Sequence, residues 1–560
     1  MKNRSWLIFV LVSLFFLVSC GGDENGSAQE DSGDADGENA SVSIRAVKDA
    51  GCTGMQIDCL SQQLAAISFQ IRNGQGETIF QKSVERKDLG SKHLEFKGIK
   101  NAENATLVVA AFGVGNDGLP DLNTPKWEGR ASGLRFEKGK KTSVIILLYP
   151  RDAQAKEISM PEELITARFG HTSTVLADGR VLVAGGFTIC SSLGKCPASK
   201  KVEVIDLESG RIEELTDMAE ERAMHTAIAL NDGSVLFIGG VHTLDTNWQE
   251  TAFGSFPLMR YVFSTPSVKI EKYMPSYPKY NMKANGFGSP VSNISEPLST
   301  ADIPFSAFQS VLAERISDTS IDVFLVGGLD ENGEPSKRSY KFTVTETEEG
   351  TVSVGEVEEL AESSEPMLLP ALAYAGGSLI AAGGRPAASE HAASVISESG
   401  SEDIGSASDN IFFAKGLSAN GSFYTFGGYG LDAGALAESN VNKMRKWNIQ
   451  GKSVESSNDL LLTRGNNIVF PETAYDSKNG RLFVIGGTNA ADLFQVINEG
   501  SFELYSKAPT HTMTDKRIMS SAAVVPAGVI GDNPLIIISG GITSLDSAGS
   551  TVKSIKINNL

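Results

Sequence analysis

Seven times along this chain an apolar, β-branched run ends in a pair of glycines: Gly185-Gly186, Gly239-Gly240, Gly327-Gly328, Gly383-Gly384, Gly427-Gly428, Gly486-Gly487 and Gly540-Gly541. From first glycine to first glycine the spacings are 54, 88, 56, 44, 59 and 54 residues. That range is the period of an architecture in which one supersecondary block repeats and buries its apolar face only against its neighbours. Paired glycines at a strand end allow positive φ and close approach of another backbone. The chain is therefore expected to pack at backbone distance at every repeat.

The first repeat reads as a strand over His171–Ala177, a turn at Asp178-Gly179, a second strand over Val181–Ala184, a third over Lys201–Asp206, a turn at Ser209-Gly210 and a fourth over Arg211–Leu215. After Met218 and Arg222 the pattern restarts at His225. Four antiparallel strands per repeat predict a propeller blade. The segments LADGRVLVAGG (176–186), LNDGSVLFIGG (230–240), IDVFLVGG (321–328), GGSLIAAGG (376–384), ANGSFYTFGG (419–428), NGRLFVIGG (479–487) and NPLIIISGG (533–541) resemble kelch-repeat, galactose-oxidase-like β-propellers over about residues 156–560. The tryptophan that such repeats often carry in the outer strand is absent, with Ile212 at its place in the first unit. The last unit ends in TVKSIKINNL, which supplies only a third strand, so Lys156–Met160 is expected to provide the fourth and close a ring of seven blades.

Residues 41–150 instead alternate with period two, in SVSIRAV, LAAISFQIR, ETIFQKSV, KHLEFKGI, ATLVVAAFG, GRASGLRF and TSVIILLY. Short strands at this density predict a β-sandwich. It resembles the immunoglobulin-like or transthyretin-like modules of surface proteins, with a spacer as its simplest role. The expected class is all-β: a small β-sandwich followed, over 151–560, by a seven-bladed kelch-like β-propeller.

The first 20 residues carry Lys2 and Arg4, an uncharged run from Trp6 to Val18, then Ser19 and Cys20, the layout of an export signal. Leu17-Val18-Ser19-Cys20 resembles the lipobox of bacterial lipoproteins, which implies acylation of Cys20 and a membrane anchor. Gly21 and Gly22 lack the aspartate that holds some lipoproteins at the inner membrane, which implies the outer membrane. Residues 21–40 contain only small, amide and acidic side chains and predict a disordered tether. Setting Cys20 aside leaves Cys52, Cys59, Cys190 and Cys196, two close pairs that read in an exported chain as two disulfides, with a metal site as the rival. The formal net charge of -19 argues against nucleic acid.

The candidate sites lie on the propeller. Arg168, Arg222, Arg464 and Arg517 recur three residues before His171, His225, Asn467 and Ser520, so they either ring the channel mouth as donors to a carboxylate ligand or hold blades together. The excess of unit two, Val241–Ile303, carries Trp248, Tyr261, Tyr273 and Tyr277 among nine aromatics, either a recognition surface or a staple onto the rim. His171 and His225 share a repeat position and form no spaced metal cluster. Some kelch-like propellers are copper radical oxidases and others isomerise sialic acid, but no copper-ligand constellation is readable in this sequence. The expected function is a non-enzymatic binding module for a protein or polysaccharide of the cell envelope, without a cofactor. The alternative is a carbohydrate-active enzyme, isomerase-like or oxidase-like, with its site at the channel mouth.

Overall fold

The computed structural model describes residues 40–47, 64–88, 94–115, 119–151, 157–191, 195–245, 262–266, 270–274, 294–298, 303–306, 308–347, 351–375, 377–385, 390–406, 408, 410–412, 414–432, 435–437, 443–460, 471–476, 479–485, 492–504, 511–513, 519–531, 534–544, 547–548 and 552–556. Cys20, Cys52, Cys59 and the tether before Ala40 lie outside them.

The described residues from Glu157 on build seven antiparallel sheets with four strands each, six in meander order and the seventh completed by Glu157–Ser159, two of them extended by a short extra strand. The first is Thr172–Val175, Val181–Ala184, Val202–Asp206 and Arg211–Glu214, close to the expected bounds. Its second strand is wholly buried because it lies between sheets, which is why it reads as a continuous apolar run. Ile212, standing where a tryptophan was expected, is buried on the fourth strand. The first strands of the sheets, Thr172–Val175, Thr226–Ala229, Gln309–Ser317, Ala371–Ala375, Lys415–Ala419, Glu472–Asp476 and Ser521–Val525, touch one another in sequence order, and the seventh returns to the first. This is a closed seven-bladed propeller. Glu157–Ser159 pairs antiparallel with Val552–Lys556, Ile158 opposite Ser554, so the ring is closed by an N-terminal strand.

The glycine pairs form the seams. In the six described pairs both glycines have positive φ. A Cβ on the first would lie 2.3 Å from the carbonyl oxygen of Arg222 at Gly185, 2.2 Å from that of Met367 at Gly327, 1.9 Å from that of Ile411 at Gly383 and 2.5 Å from that of Arg168 at Gly540. Each of those carbonyls belongs to the segment that opens the next blade. The same carbonyls accept the backbone N–H of the second glycine, Gly186 to Arg222 (2.9 Å), Gly328 to Met367 (2.9 Å), Gly384 to Ile411 (2.7 Å) and Gly541 to Arg168 (2.9 Å). Blades are thus joined main chain to main chain, and a side chain at the first glycine would separate them.

Segment 241–303 is not a single insert. Ile270–Met274 and Ile294–Leu298 are the third and fourth strands of the second blade, pairing with Val235–Ile238 and with each other. The excess therefore divides between two connections. The part after the second strand forms Val241–Asp245 and Val262–Pro266, and Val241–Asp245 also pairs with Lys195–Pro197 from the first blade.

Ahead of the propeller, Ala40–Val47, Leu94–Ile99 and Lys141–Leu147 form one sheet, with the first and last of these parallel. Leu64–Arg72, Thr78–Glu85, Ala102–Val114, Pro120–Phe136 and Tyr149–Pro150 form the other. Val42, Ile44, Ile67, Phe69, Leu107 and Ile146 fill the space between the two sheets, as their period-two spacing requires. The sandwich is more than a spacer. Leu147 and Tyr149 share a core with Val181 and Ile205 of the first blade and with Val525 and Ile537 of the seventh. Tyr149 Oη donates to the Leu207 carbonyl (2.7 Å), and Arg130 Nη1 donates to that of Gly528 (3.1 Å). The sandwich is therefore seated across the blades where the ring closes, on the face that carries the turns within strand pairs one–two and three–four.

Two substitutions separate close approach from backbone conformation. Gly383→Ala meets both the Ile411 carbonyl and a positive φ, and is expected to lower unfolding free energy by about 3 kcal/mol or more. Gly421→Ala has a positive φ but nothing within 4 Å, and is expected to lose only about 1–2 kcal/mol in urea melts.

Candidate functional site

The polar residues flagged by the repeat lie mainly in the seams. Arg168 and Arg222 are fully buried, and neither lines the channel. Arg168 donates from Nη1 to the carbonyls of Gly185 and Lys201 (both 2.8 Å), from Nε to Thr166 (3.1 Å) and from Nη2 to Glu203. Arg222 repeats the first of these bonds, Nη1 to the carbonyl of Gly239 at 2.9 Å. Glu203, itself buried, also accepts the backbone N–H of Ile165 (2.7 Å) and Thr166 (3.0 Å). Of the two roles the sequence left open for these arginines, their burial and bonds fit internal ties that fix each blade's entry segment, not carboxylate donors at the mouth. The recurrence of the arginine reflects the recurrence of a glycine carbonyl to be satisfied. Arg464 and Arg517 lie outside the described residues, as do Trp248, Tyr261 and Tyr277. Tyr273 stands on the third strand of the second blade, opposite Val235 and Ser295. Cys190 and Cys196 are joined as a disulfide in the connection that follows the first glycine pair.

His171 and His225 are likewise seam residues. His171 Nε2 lies 2.8 Å from Ser539 Oγ of the seventh blade, and His225 Nε2 lies 2.9 Å from Thr172 Oγ1 of the first. Burial holds the His225 imidazole well below its ordinary pKa, and nearby Arg222, His171 and Arg168 push it further down. It is neutral at pH 7.

At the hub a cavity of about 440 Å³ is lined by residues from all seven blades. Three of its hydroxyls are engaged between blades: Ser173 Oγ with Ser539 Oγ (2.9 Å), Thr226 Oγ1 donating to Val311 (3.1 Å) and Ser310 Oγ donating to Pro370 (2.7 Å). Among the described lining residues the charged carboxylates and ammoniums are Glu472 and Lys415, from adjacent blades, with Nζ and Oε1 3.1 Å apart. At the mouth, one or two residues before the first strand of five blades, the backbone is left-handed: Met224 (φ 55), Phe308 (φ 58), Leu369 (φ 48), Met519 (φ 55) and Gly170 (φ 61). Their backbones form a second set of ties, with Gly170 N–H on the Met519 carbonyl (2.8 Å), Met224 on Gly170 (2.7 Å) and Leu369 on Phe308 (2.8 Å). The four side chains pack with Phe169, Phe187 and the disulfide into one apolar collar.

Sequence reasoning missed the collar and the Lys415–Glu472 pair. The collar had a readable signal, a large apolar residue immediately before the first-strand position in successive repeats. The ion pair had none, because its partners are 57 residues apart and become neighbours only when blades stack.

A copper radical site requires a cysteine free to modify a tyrosine, a second tyrosine and two histidines. Cys190 and Cys196 are joined, His171 and His225 are engaged in seams, and among the described residues no group of three or more His, Cys, Asp or Glu could hold a metal ion. These residues do not fit that group.

Two outcomes check the seam assignments. Glu203→Gln leaves the Arg168 guanidinium buried without its counter-charge and should cost about 3–5 kcal/mol in denaturant melts. Because His225 is depressed in the folded chain, its contribution is complete above the unfolded pKa of about 6.5 and is lost as pH falls toward the folded value, at up to about 1.4 kcal/mol per pH unit. Stability of the native chain should therefore fall more steeply below pH 6.5 than that of His225→Gln.

No family model and no curated protein matches the chain. Among solved structures it is similar to a fungal alcohol oxidase of the AA5 family in complex with copper, at a TM-score of 0.40 and 12% identity, over 72% of this chain and 76% of that one.

Proposed function

We propose that this chain is an exported, lipid-anchored envelope protein whose propeller binds a protein or polysaccharide without acting on it chemically. One observation carries the reading. The seam arginines are engaged in fixing each blade's entry segment, and the seam histidines and the hub hydroxyls of Ser173, Thr226 and Ser310 in bonds between blades, whereas catalysis needs positioned groups free to meet a substrate. The two faces also differ. The sandwich is seated on one of them. Connections that follow the glycine pairs supply added strands on the other, among them Lys195–Pro197, Val241–Asp245, Val262–Pro266, Tyr429–Asp432 and Ala435–Ala437. Loops on a rigid scaffold are where recognition residues concentrate. In the sequence, the connection between Asp245 and Val262 carries Trp248, Phe253, Phe256 and Tyr261, residue types suited to contact surfaces. Cys20 and the acidic stretch behind it supply the anchor and the tether.

Two measurements test the parts separately. Cys20→Ala should move the chain from the detergent phase to the aqueous phase on detergent partitioning and abolish labelling by a fatty-acid analogue. Unchanged partitioning would remove the anchor from the reading. Replacing residues 246–261 by a short Gly-Ser linker should weaken binding to immobilised envelope extract at least about tenfold without moving the melting temperature. Turnover of a sugar by the purified chain would instead favour an enzyme.

A further inference from the structure

The hub cavity has features that holding blades together does not account for. Four large apolar residues, Met224, Phe308, Leu369 and Met519, sit in left-handed backbone at its rim, a conformation that disfavours a non-glycine residue by about 1–2 kcal/mol each. Gly170 at the same position of the first blade shows that the seam geometry can be made without a side chain. Strain retained at several equivalent positions points to a use for the side chains. They are partly buried and face the cavity and the cluster beneath the disulfide, and two of them are methionines, whose flexible thioethers adapt to varied apolar shapes. Deeper on the same cavity wall lies one ion pair, Lys415–Glu472, still 45% and 21% exposed. Ser306 Oγ, lining the cavity at the entry to the third blade, is buried without a hydrogen-bond partner among the described residues, an uncommon condition that a ligand or water would relieve.

We propose that the hub cavity binds a small zwitterion bearing an apolar substituent, an α-amino acid of the leucine, methionine or phenylalanine type. The charges fit: Lys415 meets a carboxylate and Glu472 an ammonium, and an α-amino acid presents both within a few ångströms of its apolar group. The size fits as well, since small-molecule pockets span about 300–1,000 Å³. A neutral polyol is disfavoured because hub hydroxyls are committed to neighbouring blades. An acidic sugar is disfavoured because the lining carboxylate and ammonium cancel and Arg168 and Arg222 are buried elsewhere. The collar borders the face proposed for envelope binding, but Lys415 and Glu472 lie in the hub and not in the 246–261 connection, so either reading can fail alone.

The test is calorimetric titration and thermal shift of the full chain in detergent at pH 7.5, with L-leucine, L-methionine and L-phenylalanine as probes and isovalerate, isopentylamine and glucose as comparisons. The amino acids should bind and raise the melting temperature, and each singly charged analogue should bind at least about tenfold more weakly. Lys415→Gln and Glu472→Gln should each lower affinity about 10–100-fold, the range for losing a charged hydrogen bond. The double exchange Lys415→Glu/Glu472→Lys, which keeps the pair, should restore binding and separates a ligand effect from a folding effect. No heat and no shift with any of the three amino acids at about 100 times a millimolar-to-micromolar Kd would overturn the proposal, because mass action would then have to show. So would undiminished binding in both single variants, or tighter binding of glucose than of leucine.

Discussion

At four of the glycine pairs that follow a blade's second strand, the carbonyl that opens the next blade lies so near the first glycine that a Cβ placed there would sit 1.9–2.5 Å from it. The rest of the propeller depends on that approach. Because blades meet main chain to main chain, the N–H of the second glycine can bond across the seam, and seven sheets that would each be marginal alone share interfaces. The glycines do two jobs that no other residue combines, adopting positive φ and leaving the space empty.

Side chains complete what the glycines begin. Arg168 and Arg222 reach the carbonyl of their own blade's first glycine, and His171 and His225 reach hydroxyls across neighbouring seams. Such groups in a cleft are often taken for chemistry. Here their burial is explained by the backbone atoms and hydroxyls they satisfy, since an unpaired buried polar group is disfavoured by more than the bond it would make. The sandwich adds to the same end by packing Leu147 and Tyr149 against the blades on either side of the closure, where Glu157–Ser159 completes the seventh sheet.

The distribution of function follows from this division of labour. On the function proposed above, with the seams closed, recognition would fall to what projects from the scaffold, the strands added after the glycine pairs, and to what the hub encloses. The collar belongs to both. Its backbone ties adjacent blades, and its side chains form an apolar rim over a cavity whose wall carries one opposed pair of charges.

The fold was legible because its determinants are local and periodic. Strand period, turn residues and the glycine pairs all act within a few positions, so the sandwich strands, the first blade and even the closing strand near Lys156–Met160 could be placed from the sequence. The second blade was misjudged because Ile270–Met274 and Ile294–Leu298 lie beyond long connections, and the length of the segment concealed its own strands. The arginines were legible as a column, but the choice between its two roles was not, since the same spacing serves a channel donor and an internal bond. By itself the sequence determined the number of blades and the proximity of Cys190 to Cys196, because repeat period and cysteine spacing are properties of the chain, and the structure joins those two cysteines as a disulfide. Only the tertiary structure decided that the seam arginines and histidines are enclosed, that the sandwich is seated on the ring closure, and that Lys415 meets Glu472 beneath a rim of Met224, Phe308, Leu369 and Met519. Burial and charge pairing arise between residues far apart in sequence, and ring closure is what brings them together.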